Sequence, residues 1–187
     1  TASGNASHAE NGRTTASGAQ SHAEGWITTA SGVDSHAEGE LTTATGQGSH
    51  AEGASTGASG QSSHAEGISS SATKIGAHAE GYSYAFGEWS HSEGYNSTAS
   101  ANKSHAEGES TSTSGTASHA EGYSSTADGS YSHAEGWSTK TFDSSNGGHA
   151  EGTYTKAYDA GSHAEGNNTS AVCAGGHAEG EYTTADG

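Results

Sequence analysis

Residues 21–39 read SHAEGWI-TTASGVD-SHAEG, and this stretch contains the rule that the whole chain follows. The pentapeptide SHAEG, or a near variant of it, occurs thirteen times, and all 13 histidines of the sequence lie in it. Successive histidines are 14 residues apart, except for a step of 13 from His78 to His91, the short step, and a step of 16 from His133 to His149, the long step. A residue type confined to one phase of one period indicates a repeating coil.

Each period divides into two halves of seven residues that share the pattern S/T-x-A-x-G-x-x. Positions 1, 3 and 5 of a half are small, whereas positions 2 and 4 are larger and polar. This alternation has the period of two that is typical of a β-strand, and positions 6 and 7 are left to form a corner. A helical heptad is excluded because its seam needs large apolar residues where these halves carry Ala and Gly. The pattern predicts an all-β parallel solenoid of about 13 turns, with two short strands in each turn and a length of roughly 60 Å.

Composition taken alone predicts a disordered chain. Leu, Ile, Val and Phe total only 8 of 187 residues and the formal net charge is −17, which are values typical of intrinsic disorder. The register of the repeats argues against disorder, because a disordered polar tract has no reason to keep Ala and Gly in phase. We expect a thin core of Ser, Thr, Ala and Gly, stabilised by backbone ladders and by association with other chains.

Several classes of protein are disfavoured by the same composition. No apolar run is long enough to span a membrane, and the chain's five basic residues argue against nucleic-acid binding. The single cysteine, Cys173, cannot form an internal disulfide, and we expect it to be a small inward-facing side chain. We expect residues 1–187 to be one β-roll repeat domain and a segment of a longer protein, since no capping repeat is visible.

The S-x-A-x-G half-repeats, two to a turn, resemble the head repeats of YadA-type trimeric autotransporter adhesins over essentially the whole chain. The SHAEG version resembles the head-like repeats of surface and phage tail-fibre proteins of Gram-positive bacteria. The resemblance implies a left-handed parallel β-roll and three chains side by side as a homotrimer. It also implies a stiff extracellular rod, at a cell surface or in a virion fibre, that displays a surface for a host protein or glycan receptor. The chain departs from the adhesin pattern at positions 2 and 4, which are commonly apolar in one strand of those heads and are His and Glu here.

The two half-repeats differ in how much they vary. The residues of the first half-repeat are nearly constant, and those of the second vary from turn to turn. We therefore expect the His/Glu strand to line the subunit interface and the other strand to face solvent. A protonated His beside Glu would form a charge-assisted hydrogen bond, which predicts that assembly depends on pH near the ordinary histidine pKa of about 6.5. The interface candidates are His22, Glu24, His36, Glu38, His50, Glu52, His64, Glu66, His105, Glu107, His119 and Glu121.

Aromatic residues are the candidates for contact with a ligand. Twelve of the 13 lie between Tyr82 and Tyr182, and many, Tyr82 among them, occupy predicted corner positions. Exposed aromatic rings stack on sugars or anchor protein partners, and the alternative is that they cover corners or contact neighbouring subunits. The short step and the long step lie among them, and irregularities in a solenoid often mark the binding face. The ligand-contact candidates are Tyr84, Phe86, Trp89, Tyr95, Trp137, Phe142 and Tyr158.

Three other functions compete with an adhesive rod. Enzymatic activity is not expected, because HAEG is not the HExxH zinc motif and catalysis uses one site rather than thirteen. A metal-binding scaffold is one alternative, since stacked imidazoles about 5 Å apart beside carboxylates suit Zn²⁺ or Ni²⁺. Ice binding is another, through a threonine column that begins Thr1, Thr15, Thr29 and Thr43 and is interrupted at Gly57. The sequence assigns no catalytic residue, no cofactor and no dedicated metal ligand.

Overall fold

The computed structural model describes residues 1–186 and is all-β. It is a parallel β-solenoid of about 13 turns with about 14 residues per turn, which confirms the fold predicted from the repeat. The chain divides into two compact units, Thr1–Glu93 and Gly94–Gly187, which are built from the same repeat. No helix among the described residues has the length and apolar character needed to cross a membrane.

Each regular turn contributes a strand of five residues and a strand of two. In the first unit these are β1 (His8–Gly12), β2 (Thr15–Ala16), β3 (His22–Trp26), β4 (Thr29–Ala30), β5 (His36–Glu40), β6 (Thr43–Ala44), β7 (His50–Ala54), β8 (Gly57–Ala58), β9 (His64–Ile68), β10 (Ser71–Ala72) and the longer β11 (His78–Ala85). β12 (His91–Ala99) begins in the first unit and ends in the second. The second unit continues with β13 (His105–Glu109), β14 (Ser112–Thr113), β15 (His119–Tyr123), β16 (Thr126–Ala127), β17 (His133–Trp137), β18 (Lys140–Thr141), β19 (His149–Thr153), β20 (Lys156–Ala157), β21 (His163–Asn167), β22 (Ser170–Ala171), β23 (His177–Glu181) and β24 (Thr184–Ala185).

Strands pair in parallel with the equivalent strand one turn later, in a register that joins equivalent residues. β3 and β5 align His22 with His36, and β13 and β15 align His105 with His119 in the second unit. The ladder begins before the strand itself, because the N–H of His22 donates to the carbonyl of Ser35 at 2.9 Å. The long strands run through position 6 of the repeat, so the corner is shorter than the two positions that we predicted.

The core of each unit consists of small side chains, as predicted. Away from the terminal turns, the alanines at position 3 are buried, and so are the threonines that open many second half-repeats, of which Thr28 and Thr111 are examples. Among the described residues, no side chain larger than threonine is fully buried. Cys173, which we expected to face inward, is half-buried, with its Sγ 3.9 Å from the carbonyl oxygen of Ala185. Because little apolar area is buried per turn, the backbone ladder carries a large share of the stability.

The serine that opens SHAEG closes a corner. The Oγ of Ser21 donates to the carbonyl of Gly18 at 2.7 Å, and its N–H donates to the same oxygen at 3.3 Å. The residue before it, Gln20, has a left-handed φ of 57°. The same hydroxyl-to-carbonyl bond recurs at Ser49 in the first unit and at Ser118 in the second. The near constancy of this serine therefore has a local structural cause.

The glycine that ends SHAEG is required both by its conformation and by the stacking of turns. Gly39 has φ +108°, and a Cβ added to it would lie 2.1 Å from the carbonyl oxygen of Gly53 one turn later. In the second unit Gly122 has φ +102°, and its added Cβ would lie 2.3 Å from the oxygen of Gly136. A side chain at this position would separate the two turns.

The short step removes one corner residue. Only Tyr82 stands between Gly81 and the buried Ser83, where regular turns have two residues. β11 runs without interruption through this place, pairing with β9 over its first four residues and with β10 at Tyr84 and Ala85. Tyr82, which we expected at a corner, therefore lies inside a strand.

The long step adds Asp143 and Ser144 to the second half-repeat of one turn. Ser145 then takes the inward place that glycine usually occupies and is fully buried. Its N–H and its hydroxyl both donate to the carbonyl of Phe142, at 2.8 and 2.6 Å. The hydroxyl of Ser144 donates to the carbonyl of Tyr158 in the next turn. Hydrogen bonds therefore hold the insertion against the coil.

Replacing Gly39 with alanine is expected to destabilise the fold, whereas Gly57→Ala in the same unit is not. At Gly39 the left-handed conformation and the close carbonyl each act against a side chain, at about 1–2 and about 1–3 kcal/mol. We therefore expect Gly39→Ala to lower the free energy of unfolding by about 2–5 kcal/mol in urea denaturation. An added Cβ at Gly57 has no atom within 4 Å, and alanine there should change this free energy by less than about 1 kcal/mol. Equal losses for the two variants would contradict the proposed role of stacking.

Candidate functional site

The histidines and glutamates of the long strands form one surface in each unit, which we call the His/Glu face. Alternate residues of a strand point to opposite sides, so the buried alanine between them places His and Glu outside. Both are partly exposed: the side chains of His36 and Glu38 are 36% and 47% accessible, and those of His119 and Glu121 are 34% and 45%. All the predicted interface residues lie on this face. Those of the first unit are His22, Glu24, His36, Glu38, His50, Glu52, His64 and Glu66, and those of the second are His105, Glu107, His119 and Glu121.

The imidazole rings form a stack along each unit. From His8 to His91 in the first unit, consecutive ring centroids are 4.6–5.1 Å apart. From His105 to His177 in the second unit they are 4.7–4.9 Å apart. This spacing is that of neighbouring β-strands, so it follows directly from the register.

In most turns the histidine lies close to the glutamate of its own strand but forms no hydrogen bond to it. The distance from Nε2 to Oε2 is 3.6–3.9 Å for the regular turns of the first unit and 3.5–3.9 Å for those of the second. These values are long for an N–H···O bond. The Nε2 atoms are nevertheless buried and have no hydrogen-bond partner at His22, His36, His50, His64, His119, His133, His149 and His163. Buried polar atoms without partners are costly, so this face is only partly satisfied in a single chain.

Burial and mutual repulsion favour the neutral imidazole within the stack. Burial lowers the pKa of His36, and the neighbouring rings of His50 and His22 lower it further. Glu38 and Glu24 oppose this effect but do not reverse it. The same causes, again led by burial, lower the pKa of two histidines in the second unit, His119 and His149.

The second half-repeat presents its positions 2 and 4 on another surface, the variable face. In the first unit it carries an aromatic cluster along β11, in which the rings of Tyr82 and Tyr84 are 5.8 Å apart and those of Tyr84 and Phe86 are 5.7 Å apart. A hydrogen bond with Tyr82 raises the pKa of Tyr84. Phe86 is 41% exposed. The adjacent residues on the preceding turns are small, with Ser71 and then Gly57 in register with Tyr84, so no large side chain in that register covers Tyr84 from that side.

A second aromatic cluster lies beside the inserted Asp143 and Ser144 in the second unit. The rings of Phe142 and Tyr158 stack at 4.3 Å with an angle of 10° between their planes. The Nζ of Lys140 lies 4.8 Å from the centre of the Phe142 ring and 2.9 Å from a carboxylate oxygen of Asp128. Tyr158 and Lys140 therefore both cover the Phe142 ring.

The remaining predicted contact residues are exposed aromatic rings. Trp89, Tyr95 and Trp137 are 62%, 64% and 53% exposed. Trp137 contacts Tyr123, with ring centroids 5.0 Å apart. The predicted ligand-contact residues are thus distributed over both units rather than gathered in one site.

The threonine column considered for ice binding is short. Thr15, Thr29 and Thr43 lie in register on the variable face, and Gly57 follows them. Thr1 precedes Thr15 in the same register, because Ala2 pairs with Ala16, so the ordered array of hydroxyls covers four turns.

Two groups of side chains place metal-ligating atoms within 4.8 Å of one another among the described residues. One is His8, Glu10 and His22, and the other is His78, Glu80 and His91. The repeat alone did not distinguish these turns from the others. The short step between His78 and His91 was the one sequence signal that marked the second group.

Comparison with known proteins assigns this chain to no family, since no family model matches it and no curated protein matches it. The resemblance to adhesin heads accordingly rests on the repeat pattern. The function has to be argued from the surfaces described above.

The stability of the fold is expected to rise with pH between about pH 5 and pH 7. The pKa values of His36, His119 and His149 are lowered in the folded chain, so the unfolded chain binds protons that the folded chain does not. The contribution of these histidines to stability is fully present above the ordinary histidine pKa of about 6.5. It is lost as the pH falls through their lowered pKa values in the folded chain. Melting temperatures measured at several pH values test this, and a flat or falling profile would refute it.

A matched pair of variants assigns the effect to these side chains. Glutamine keeps a polar side chain without titrating, so His36→Gln combined with His119→Gln and His149→Gln should reduce the slope of melting temperature against pH. Thr29→Gln, Thr126→Gln and Ser170→Gln alter position 2 of the other half-repeat and should leave the slope unchanged.

Proposed function

We propose that this chain is a structural and adhesive segment of an extracellular fibre. In this proposal three copies associate side by side as a left-handed β-roll rod, which projects from a cell surface or virion and carries a receptor-binding surface. The observation that carries the proposal is the His/Glu face, on which regular turns repeat the same pair and leave the same buried imidazole nitrogen without a hydrogen bond.

The thin core supports association between chains. Alanine, serine, threonine and glycine fill the interior of both units, and this buries little apolar area for the number of residues that are ordered. A narrow coil of this kind gains stability when a neighbouring copy covers one of its faces. Lateral assembly also suits a fibre, since every turn can make the same contact.

The uniformity of the His/Glu face makes it the better candidate for that contact. An interface between identical chains repeats the same neighbours at every turn, and a constant pair of residues meets this requirement. Another copy packed on this face would press each glutamate towards the imidazole of its own strand and close the present gap of 3.5–3.9 Å to Nε2. Pairing with imidazole would also limit the repulsion between stacked carboxylates.

The variable face is the better candidate for a receptor. Its chemistry changes from turn to turn, so that a partner can recognise one place along the solenoid. The aromatic cluster on β11 and the exposed Trp89 supply large, rigid contact surfaces of the kind that dominate recognition. Both lie at the turn that the short step makes irregular.

Light scattering should give a mass three times the 18.4 kDa of one chain. If the His/Glu face lines the interface, Glu38→Arg combined with Glu121→Arg should dissociate the assembly at neutral pH. The matched control is Ser31→Arg combined with Ser100→Arg, which places the same side chain at position 4 on the variable face, where both serines are exposed.

A single-chain mass for the unaltered protein would refute the trimer. Dissociation of the serine variant alone would place the interface on the variable face instead. Repeating the measurement at pH 5 and pH 8, with and without a chelator, separates the contributions of protons and metal ions to assembly.

Receptor binding is expected to depend on the aromatic residues of the variable face. A variant with Tyr84, Phe86, Trp89 and Phe142 replaced by serine should bind cell surfaces or glycan arrays at least about tenfold more weakly, because aromatic anchors carry most of the energy of an interface. The control replaces Val33, Leu41, Ile68 and Val172, which are exposed and aliphatic, with serine. Unchanged binding by the aromatic variant would show that this segment is only a spacer.

A further inference from the structure

We propose that His78, Glu80 and His91 form a binding site for a divalent transition-metal ion of the Zn²⁺ or Ni²⁺ class. The site lies on the His/Glu face of the first unit, at the turn that is one residue short. It is independent of the adhesive function, because a single chain contains all three ligands.

The three side chains are already close to a coordinating arrangement. Their ligand atoms lie within 4.8 Å of one another, and all three residues are half-buried. The rings of His78 and His91 have centroids 4.6 Å apart and planes 6° apart, whereas the other pairs of this unit are 4.8–5.1 Å apart and 14–74° apart. This pair of rings is thus the closest and the most nearly parallel in the unit.

The turn that joins His78 to His91 is one residue short, and its ion pairing also differs from that of its neighbours. The backbone ladder is kept, because the N–H of His78 donates to the carbonyl of Ser90 at 2.9 Å as the equivalent groups do in regular turns. In the regular turns of this unit the imidazole lies 3.6–3.9 Å from the glutamate of its own strand. Among the described residues His78 forms no such ion pair, so the carboxylate of Glu80 is not committed to its own ring.

Two imidazoles and one carboxylate are ligands that suit Zn²⁺ and similar divalent transition-metal ions such as Ni²⁺, with water completing the coordination. Metal–nitrogen bonds of about 2.0–2.1 Å require the two coordinating nitrogens to be about 3.3 Å apart in a tetrahedral site. Tilting of the two rings brings their nitrogens to this distance. The stack accommodates tilted rings, since the planes of His64 and His78 already differ by 38°.

The group formed by His8, Glu10 and His22 meets the same distance criterion but is a weaker site. His8 and Glu10 are exposed, and their side chains already pair with each other at 2.5 Å. A metal would have to displace this contact and compete with water. The group provides an internal comparison for the experiment.

Calorimetric titration of the metal-free chain with Zn²⁺ at pH 7.5 tests the proposal. We expect one tight equivalent per chain, with visible d–d absorption of a low-coordinate site when Co²⁺ is used instead. His78→Gln and His91→Gln should each weaken this binding by more than about a hundredfold, and Glu80→Gln should weaken it by about tenfold or more. The matched control is His50→Gln, which alters a regular turn of the same unit and should leave the tight equivalent intact. Circular dichroism of each variant checks that the fold is retained.

Three results would overturn the proposal. One is the absence of tight binding by the unaltered chain. Another is binding of several equal equivalents that His50→Gln reduces as much as His78→Gln, which would indicate a diffuse ladder. The third is loss of the tight equivalent in His8→Gln but not in His78→Gln, which would place the site at the other group. The mass of the metal-free chain is measured separately, so that failure of this site and failure of the trimer are distinguished.

Discussion

In-register parallel pairing is the constraint on which the rest of this structure depends. Each residue lies one strand spacing, about 4.8 Å, from its equivalent in the next turn, so every residue type must tolerate contact with itself. Glycine stacks on glycine because the carbonyl of the next turn leaves no room for a Cβ, as at Gly39 and Gly53. Alanine stacks on alanine because the narrow interior has room only for small side chains, of which threonine is the largest that is fully buried among the described residues. The low content of large apolar residues, which suggests disorder when it is taken alone, follows from this geometry.

The same in-register pairing brings titratable residues of like charge close together on the outer surface. Columns of histidine and glutamate repeat one charge at the spacing of a β-ladder, and like charges at that distance repel. Burial and the neighbouring rings lower the pKa of imidazoles such as His36 and His119, so they stay neutral more readily than in solution. Imidazole can then stack as an uncharged ring beside each carboxylate. The repeat tolerates histidine at this density because histidine, unlike lysine, can lose its charge near neutral pH.

The regular part of the fold could be predicted from the sequence, because it depends on a residue pattern repeated thirteen times. The small residues at positions 1, 3 and 5 predicted which side chains face the interior. The spacing of the histidines predicted the number of residues in one turn. The long strands β11 and β12 could not be predicted, since the repeat pattern placed a corner inside each of them. The unsatisfied Nε2 atoms could not be predicted either. They depend on side-chain rotamers, and the residue types alone suggested hydrogen-bonded His–Glu pairs. The covering of Phe142 by Lys140 and Tyr158 likewise depends on the insertion and on rotamers.

Specific function in a solenoid has to arise where the turns differ. A ligand that recognised SHAEG would find it on nearly every turn, and such contacts suit association along the length of a chain. Recognition of one place requires a departure from the repeat. The two clearest departures are the missing corner residue near Tyr82 and the inserted Asp143 and Ser144, and an aromatic cluster lies beside each of them. The missing residue also accompanies the closest pair of imidazoles in its unit. A change in the length of one turn alters the geometry of side chains whose identities are unchanged, and this is how a chain of nearly identical turns can acquire a unique site.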